Sequence, residues 1–267
     1  MTTSSDAAGA HALEARFTTL AGEGRKALVV YVTAGHPDRA RSAALLAGLT
    51  DAGADVIEVG VPFSDPLADG PVIQASSQQA LDQGMRLDGA LALVDEVRPH
   101  APVVLFSYLN PLLAAGPDVL ARARQAGVSG LLVTDLPVGA DPEREAWLGS
   151  DDLAFVRLVA PTTPVDRMRE IARHGRGFVY LISRLGVTGE RDALAHDLPE
   201  TIARLRAATS LPIAVGFGIS TPAQAREAAA LADGVVVGSA LVRAASESVD
   251  SALAFVRQLR AALDGAP

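Results

Sequence analysis

The chain has 267 residues, 49% of them hydrophobic, enough to bury a large core as one big domain or two small ones. Its 31 acidic residues against 23 basic ones give a formal charge of −8 with no basic run, which argues against a nucleic acid or an anionic membrane as partner. It contains no cysteine, which excludes disulfides, thiolate catalysis and Cys-ligated metals, but a phosphorylated small molecule stays open because backbone N–H groups bind phosphate without a local excess of Lys or Arg.

The opening MTTSSDAAGA has neither a basic n-region nor an apolar h-region, so residues 1–10 are expected to be a flexible tail and 11–267 one domain. The longest apolar runs, such as Ala27 to Val32, fall far short of the ~20 residues that cross a bilayer. A cytoplasmic protein is expected. In the segment Ala12 to Ala21, Leu13, Phe17 and Leu20 share one helical face, which suits a cap on the floor of a barrel.

Apolar runs with strand character then recur at Leu28 to Thr33, Val56 to Val61, Val103 to Ser107, Leu131 to Thr134, Phe155 to Val159, Phe178 to Ile182, Ile213 to Val215 and Val235 to Val237. Between them, helical spacing is predicted at Arg39 to Ala52, Ala80 to Val97, Asp118 to Ala126, Asp166 to His174, Thr201 to Ala208 and Ala223 to Ala232. Such alternation implies parallel strands with crossover helices, and strands apolar on both faces imply a sheet covered on both sides. Eight units in this length fit a closed (β/α)₈ barrel, a single α/β domain, better than an open doubly wound sheet. No Gly-rich dinucleotide fingerprint follows the first strand.

The second strand and its loop read DVIEVGVPFSDPLADGP from Asp55 to Pro71. Val56, Glu58 and Gly60 share one face of the strand, Ile57, Val59 and Val61 the other. A carboxylate buried without a partner takes up a proton or costs several kcal/mol, so Glu58 is either ion-paired inside the fold or a general acid and base with a raised pKa. The loop behind it, stiffened by Pro62, Pro66 and Pro71, holds Asp65 and Asp69 where catalytic groups are held, at the end of a strand.

Function in such a barrel sits at the C-terminal strand ends. Gly216-Phe217-Gly218-Ile219-Ser220 follows the seventh strand and Gly238-Ser239-Ala240 opens a helix after the eighth; together they suit a phosphate, although each alone could be a tight turn. Ser183 to Gly189 is a Gly-punctuated loop long enough for a lid. Tyr31, Tyr108 and Tyr180 lie near strand ends, where they are either core residues or a wall for an aromatic substrate. The five histidines form no ligand-spaced pair, so no metal is expected.

DAGADVIEVGVPFSDPLADGPVIQ, followed in order by SRLGVTG, GFGIS and GSA, resembles the tryptophan synthase alpha subunit family from about Leu28 to the final helix. The resemblance implies a (β/α)₈ barrel that cleaves indole-3-glycerol phosphate to indole and glyceraldehyde 3-phosphate. It implies a beta subunit as partner, in an α2β2 complex, and places the pyridoxal phosphate on that partner, with no cofactor on this chain. By motif, Glu58 matches the catalytic acid and base, Asp69 the carboxylate that bonds the indole N–H, and Thr188 the lid residue that orients the loop of Asp69. Gly189, Gly216, Gly218, Gly238 and Ser239 match the phosphate seat, and Tyr31, Tyr108, Leu132, Tyr180 and Phe217 the indole pocket. A lyase acting alone and releasing free indole, or a non-catalytic barrel serving a partner, remain alternatives. A Schiff-base aldolase is disfavoured, because the only lysine, Lys26, precedes the first strand.

Overall fold

The computed structural model describes residues 9–150, 152–182, 197–216 and 218–265. Eight parallel strands close in sequence order: β1 (Ala27–Thr33), β2 (Val56–Gly60), β3 (Val103–Ser107), β4 (Val128–Val133), β5 (Ala154–Val159), β6 (Val179–Ile182), β7 (Ile213–Gly216) and β8 (Gly234–Val237), with β1 pairing β8. This is the expected (β/α)₈ barrel. Ahead of β1 runs α1 (Ala10–Gly22); the connections carry α2 (Arg39–Leu49), α3 (Pro71–Asp82), α4 (Leu87–Val97), α5 (Leu109–Ala114), α6 (Val119–Gln125), α7 (Pro142–Leu148), α8 (Val165–Arg173), α9 (Leu198–Arg206) and α10 (Pro222–Leu231), and α11 (Ser239–Glu247) and α12 (Val249–Asp264) follow β8.

The strand residues divide between two apolar layers, as the two-residue period requires. Val29, Val56, Val104, Leu132, Val156 and Val236 fill the barrel, whereas Leu28, Val30, Ile57, Val59, Leu105 and Leu131 pack outward against the helices. At the floor, Leu13, Phe17 and Leu20 of α1 join the inner layer, with Phe17 and Phe178 ring centroids 5.2 Å apart. The expected floor cap is therefore present, and it begins at Ala10, whose N–H bonds to the Asp152 carbonyl at 2.8 Å.

Two expectations change. The single helix predicted over Ala80 to Val97 is two helices, because Gly84 adopts φ +83° between α3 and α4, a left-handed conformation that ends a helix and suits glycine. The stiff loop ends sooner than its prolines suggest: Pro71 is the first residue of α3, a position where its missing N–H is no loss. Among the described residues, no helix is long and apolar enough to cross a membrane.

Candidate active site

The parallel register seats Glu58 between Tyr31 of β1 and Val104 of β3, and Glu58 shares the inward face of β2 with Val56. The residue is 1% exposed and its Oε1 has no hydrogen-bond partner. Burial alone pushes its pKa up to about 8. Asp55, just ahead of the same strand and as deeply buried, shows what a paired carboxylate looks like here. It takes Arg16 at 2.6 Å, Arg260 at 2.8 Å and the Leu28 N–H at 2.8 Å. The internal ion pair that Glu58 could have had belongs to Asp55, and Glu58 is left as a protonated acid at neutral pH.

Asp69 is held from two sides. The Tyr108 hydroxyl donates to its Oδ2 at 3.1 Å and accepts the neighbouring Ala68 N–H at 2.9 Å, while Gln74 Nε2 donates to the Asp69 carbonyl at 2.9 Å. Phe63, earlier in the loop, packs its ring 5.0 Å from that of Tyr108. Burial raises Asp69 to about 6, against the opposing pull of the Tyr108 hydrogen bond. Between about 6 and 8 the two carboxyls therefore hold opposite charge states, Asp69 ionised and Glu58 protonated.

Both line one cavity of about 280 Å³ at the C-terminal mouth of the barrel. Its apolar walls are Tyr31, Ile73, Phe106, Tyr180 and Val236, with Tyr31 and Phe106 meeting edge to face at 5.2 Å. Burial, and then the carboxyls nearby, hold both tyrosine hydroxyls firmly protonated. Gly218, Ser220, Gly238, Ser239 and Ala240 also line the cavity. The two helices there differ in a way that matters for an anion. The α10 N-terminus satisfies itself: Gln224 Oε1 accepts the N–H groups of Ser220 at 2.8 Å and Thr221 at 3.2 Å, and Thr221 Oγ1 accepts that of Gln224 at 3.2 Å. The α11 N-terminus begins at Gly238 with no side-chain cap, so its first amides and the positive end of its dipole are left for a ligand.

Tyr31, Glu58, Asp69, Tyr180, Gly218, Gly238 and Ser239 thus come together as the sequence suggests. Tyr108 stands behind Asp69, and Leu132 is fully buried in the inner layer; neither lines the cavity. Gly216 does not line it either. A Cβ there would fall 2.2 Å from the Tyr180 hydroxyl oxygen, so the missing side chain makes room for that ring. Gly216→Ala is expected to displace Tyr180 and lower stability by about 1–3 kcal/mol, as urea unfolding would record. Thr188, Gly189 and Phe217 lie outside the described residues. Phe106, Ile73, Val236 and Arg243 also line the cavity, outside the motifs that the sequence singles out. The first and third follow from the strand period counted from the inward residues Val104 and Gly234, whereas Ile73 was hidden by the unrecognised start of α3.

The single lysine sits at the opposite end of the barrel, where Lys26 Nζ donates to the Ala232 carbonyl at 2.8 Å, so no amine of this kind reaches the cavity.

The family model described as tryptophan synthase alpha chain matches residues 17–265. A tryptophan synthase alpha chain from Citrifermentans bemidjiense is 50% identical over 231 residues, covering 85% of this chain and 86% of that one. One from Phenylobacterium zucineum is 48% identical over 243 residues, covering 89% and 87%. Among solved structures, a chain of Mycobacterium tuberculosis tryptophan synthase superposes with a TM-score of 0.88 at 37% identity, over 94% of this chain and 97% of that one. Tryptophan synthase subunit alpha from Legionella pneumophila does so with a TM-score of 0.84 at 34% identity, over 95% and 98%. With a family model matched over residues 17–265 and relatives about half identical over most of its length, this chain belongs to the tryptophan synthase alpha chain family.

Proposed function

We propose that Glu58 and Asp69 carry the lyase reaction of this family, cleavage of indole-3-glycerol phosphate to indole and glyceraldehyde 3-phosphate in tryptophan biosynthesis. The observation that carries the assignment is the pair of buried carboxyls with opposite charge states in one apolar cavity that also contains an uncapped helix N-terminus.

Protonated Glu58 delivers its proton to indole C3. The positive charge that develops on the ring is shared with the indole N–H, which donates to the Asp69 carboxylate; this interaction strengthens as charge builds and so favours the transition state. The bond between C3 and the hydroxyl-bearing side-chain carbon then breaks. Its electron pair returns to the ring, and the hydroxyl proton passes to the Glu58 carboxylate as the carbonyl of glyceraldehyde 3-phosphate forms. Glu58 ends as it began, protonated, which is the resting state that its burial favours. One proton enters the ring, one leaves the hydroxyl, and a single carboxyl handles both.

Tyr31, Phe106 and Tyr180 suit the indole walls, with Tyr108 orienting Asp69 and Leu132 supporting the floor beneath. Gly218, Gly238 and Ser239 suit the phosphate. On sequence grounds alone, Thr188 as the lid residue, Gly189 at the phosphate and Phe217 at the indole belong to the same proposal, whereas Gly216 instead makes room for the Tyr180 ring. The partner is a beta chain, which holds the pyridoxal phosphate, in an α2β2 complex in the cytoplasm. Leu67, 87% exposed in the loop that carries Asp69, and Leu113 of α5, 41% exposed, are apolar surface at the strand ends that such a partner would cover.

The test is indole release from indole-3-glycerol phosphate by the purified chain, with and without an added beta chain. Slow release that the beta chain accelerates is expected. Equally fast release by the chain alone would favour a stand-alone indole producer, and no release under either condition would overturn the lyase assignment.

A further inference from the structure

Tyr31 lines the cavity with a buried hydroxyl whose own proton has no acceptor among the described residues. The residue is 6% exposed, and its one hydrogen bond is a long one in which Thr33 Oγ1 donates to it at 3.4 Å. Thr33 is tied in turn to Ser76, Oγ1 to Oγ at 2.7 Å, and Ser76 Oγ donates to the Ile73 carbonyl at 2.9 Å. However the Thr33 and Ser76 protons are shared out among these bonds, none of the bonds takes up the proton of Tyr31, and burial keeps that proton in place. A buried donor without an acceptor is costly, and an oxygen on a bound ligand removes the cost. The placing of the ring decides which oxygen. At one end it packs beside α11, where a Cβ at Gly238 would fall 3.6 Å from Tyr31 Cβ and 3.8 Å from its Cγ. At the other end the hydroxyl overlies β2, where a Cβ at Gly60 would collide with its oxygen. Gly60 is two residues past Glu58 on the same strand face, and Gly238 opens the uncapped helix. Tyr31 therefore bridges the proton donor and the helix end that suits the phosphate.

We infer that the Tyr31 hydroxyl is a specificity-determining group, which donates a hydrogen bond to the hydroxyl on the middle carbon of the substrate's glycerol chain. The inference rests on the lyase assignment above and goes beyond it, because there Tyr31 serves only as a wall for the indole. The glycerol chain is the part of the substrate that must cross between Glu58 and the phosphate. Its first hydroxyl, on the carbon bound to the ring, gives its proton to Glu58. The middle one neither gains nor loses a proton and is carried unchanged into glyceraldehyde 3-phosphate. A hydrogen bond to it holds equally before and during cleavage, so it acts on binding rather than on the barrier.

The experiment compares indole-3-glycerol phosphate with an analogue that lacks only the middle hydroxyl, 3-hydroxy-3-(indol-3-yl)propyl phosphate, in wild type and Tyr31→Phe, each as the complex with the beta chain. The analogue keeps the reacting hydroxyl and can still be cleaved, to indole and 3-oxopropyl phosphate. Wild type is expected to prefer the natural substrate in kcat/KM by about 3- to 10-fold, the worth of one neutral hydrogen bond. Tyr31→Phe is expected to lose that preference through a higher KM for the natural substrate, with kcat little changed. A merely structural effect would depress both compounds together and leave the preference intact. A preference that survives in Tyr31→Phe, that is lost through kcat instead of KM, or that is absent from wild type would overturn the inference. Wild type that releases indole from neither compound would instead refute the lyase assignment on which it rests.

Discussion

Glu58→Gln is expected to lower kcat for indole release by about 10²- to 10⁴-fold while leaving the fold intact. The amide is nearly the same size and shape, and at neutral pH it replaces a carboxyl that is already uncharged in the folded protein, so no ion pair is broken. What is lost is the transferable proton. The same raised pKa fixes the sign of two pH effects. First, kcat/KM follows a bell, falling below about 6 as Asp69 takes up a proton and above about 8 as Glu58 loses its own. Second, Glu58 is protonated in the folded state at pH values where the unfolded chain, with its ordinary value of 4.5, has released the proton. The stability it contributes is therefore fully present below 4.5 and is lost as pH rises through about 8. Glu58→Gln removes that dependence, so the variant gains on wild type as pH increases, and urea unfolding at pH 5 and pH 9 checks the sign.

Asp69→Asn is expected to cost about 10²- to 10³-fold in kcat, for a different reason. The amide keeps an acceptor for the indole N–H but not the negative charge that opposes the charge developing on the ring, so the loss falls on the transition state more than on binding. Tyr108 supplies the control. Tyr108→Phe removes the hydroxyl that donates to Asp69 and accepts the Ala68 N–H, so the loop loses one anchor and Asp69 loses the hydrogen bond that holds its pKa down. The acid limb of the pH profile should move to higher pH in Tyr108→Phe and disappear in Asp69→Asn. Steady-state kinetics across pH 5 to 9 distinguishes the two.

The barrel was legible because most of its strands are short runs of Val, Ile and Leu buried on both faces, and such runs stand out against Ala- and Arg-rich helices. Legibility fails where one residue type serves two purposes. Val128 begins β4, but Ser129 and Gly130 interrupt its apolar run; a Cβ at Gly130 would meet the Ala154 carbonyl at 2.8 Å. Gly70 and Pro71 mark a loop in sequence, yet in the fold they open α3 and bring Ile73 to the cavity. The site shows the same division. Glu58 and Asp69 announce themselves as carboxyls in an apolar strand and a rigid loop, but which buried carboxyl is paired depends on Arg16 and Arg260, 39 and 205 residues away from Asp55. Local sequence does not carry that information. Arg243 is invisible for a related reason: on α11 it is one more arginine, and only the closure of the barrel beside β1 turns that helix end toward the carboxyls.

The protonation state of Glu58 decides between a buried acid and an ordinary carboxylate, and it can be read without turnover. The side-chain carboxyl resonance of ¹³C-labelled Glu58, assigned by its absence in Glu58→Gln, is followed as a function of pH in the ligand-free chain. A midpoint near 8 is predicted; a midpoint near 4.5, the value of an exposed glutamate, would contradict the account.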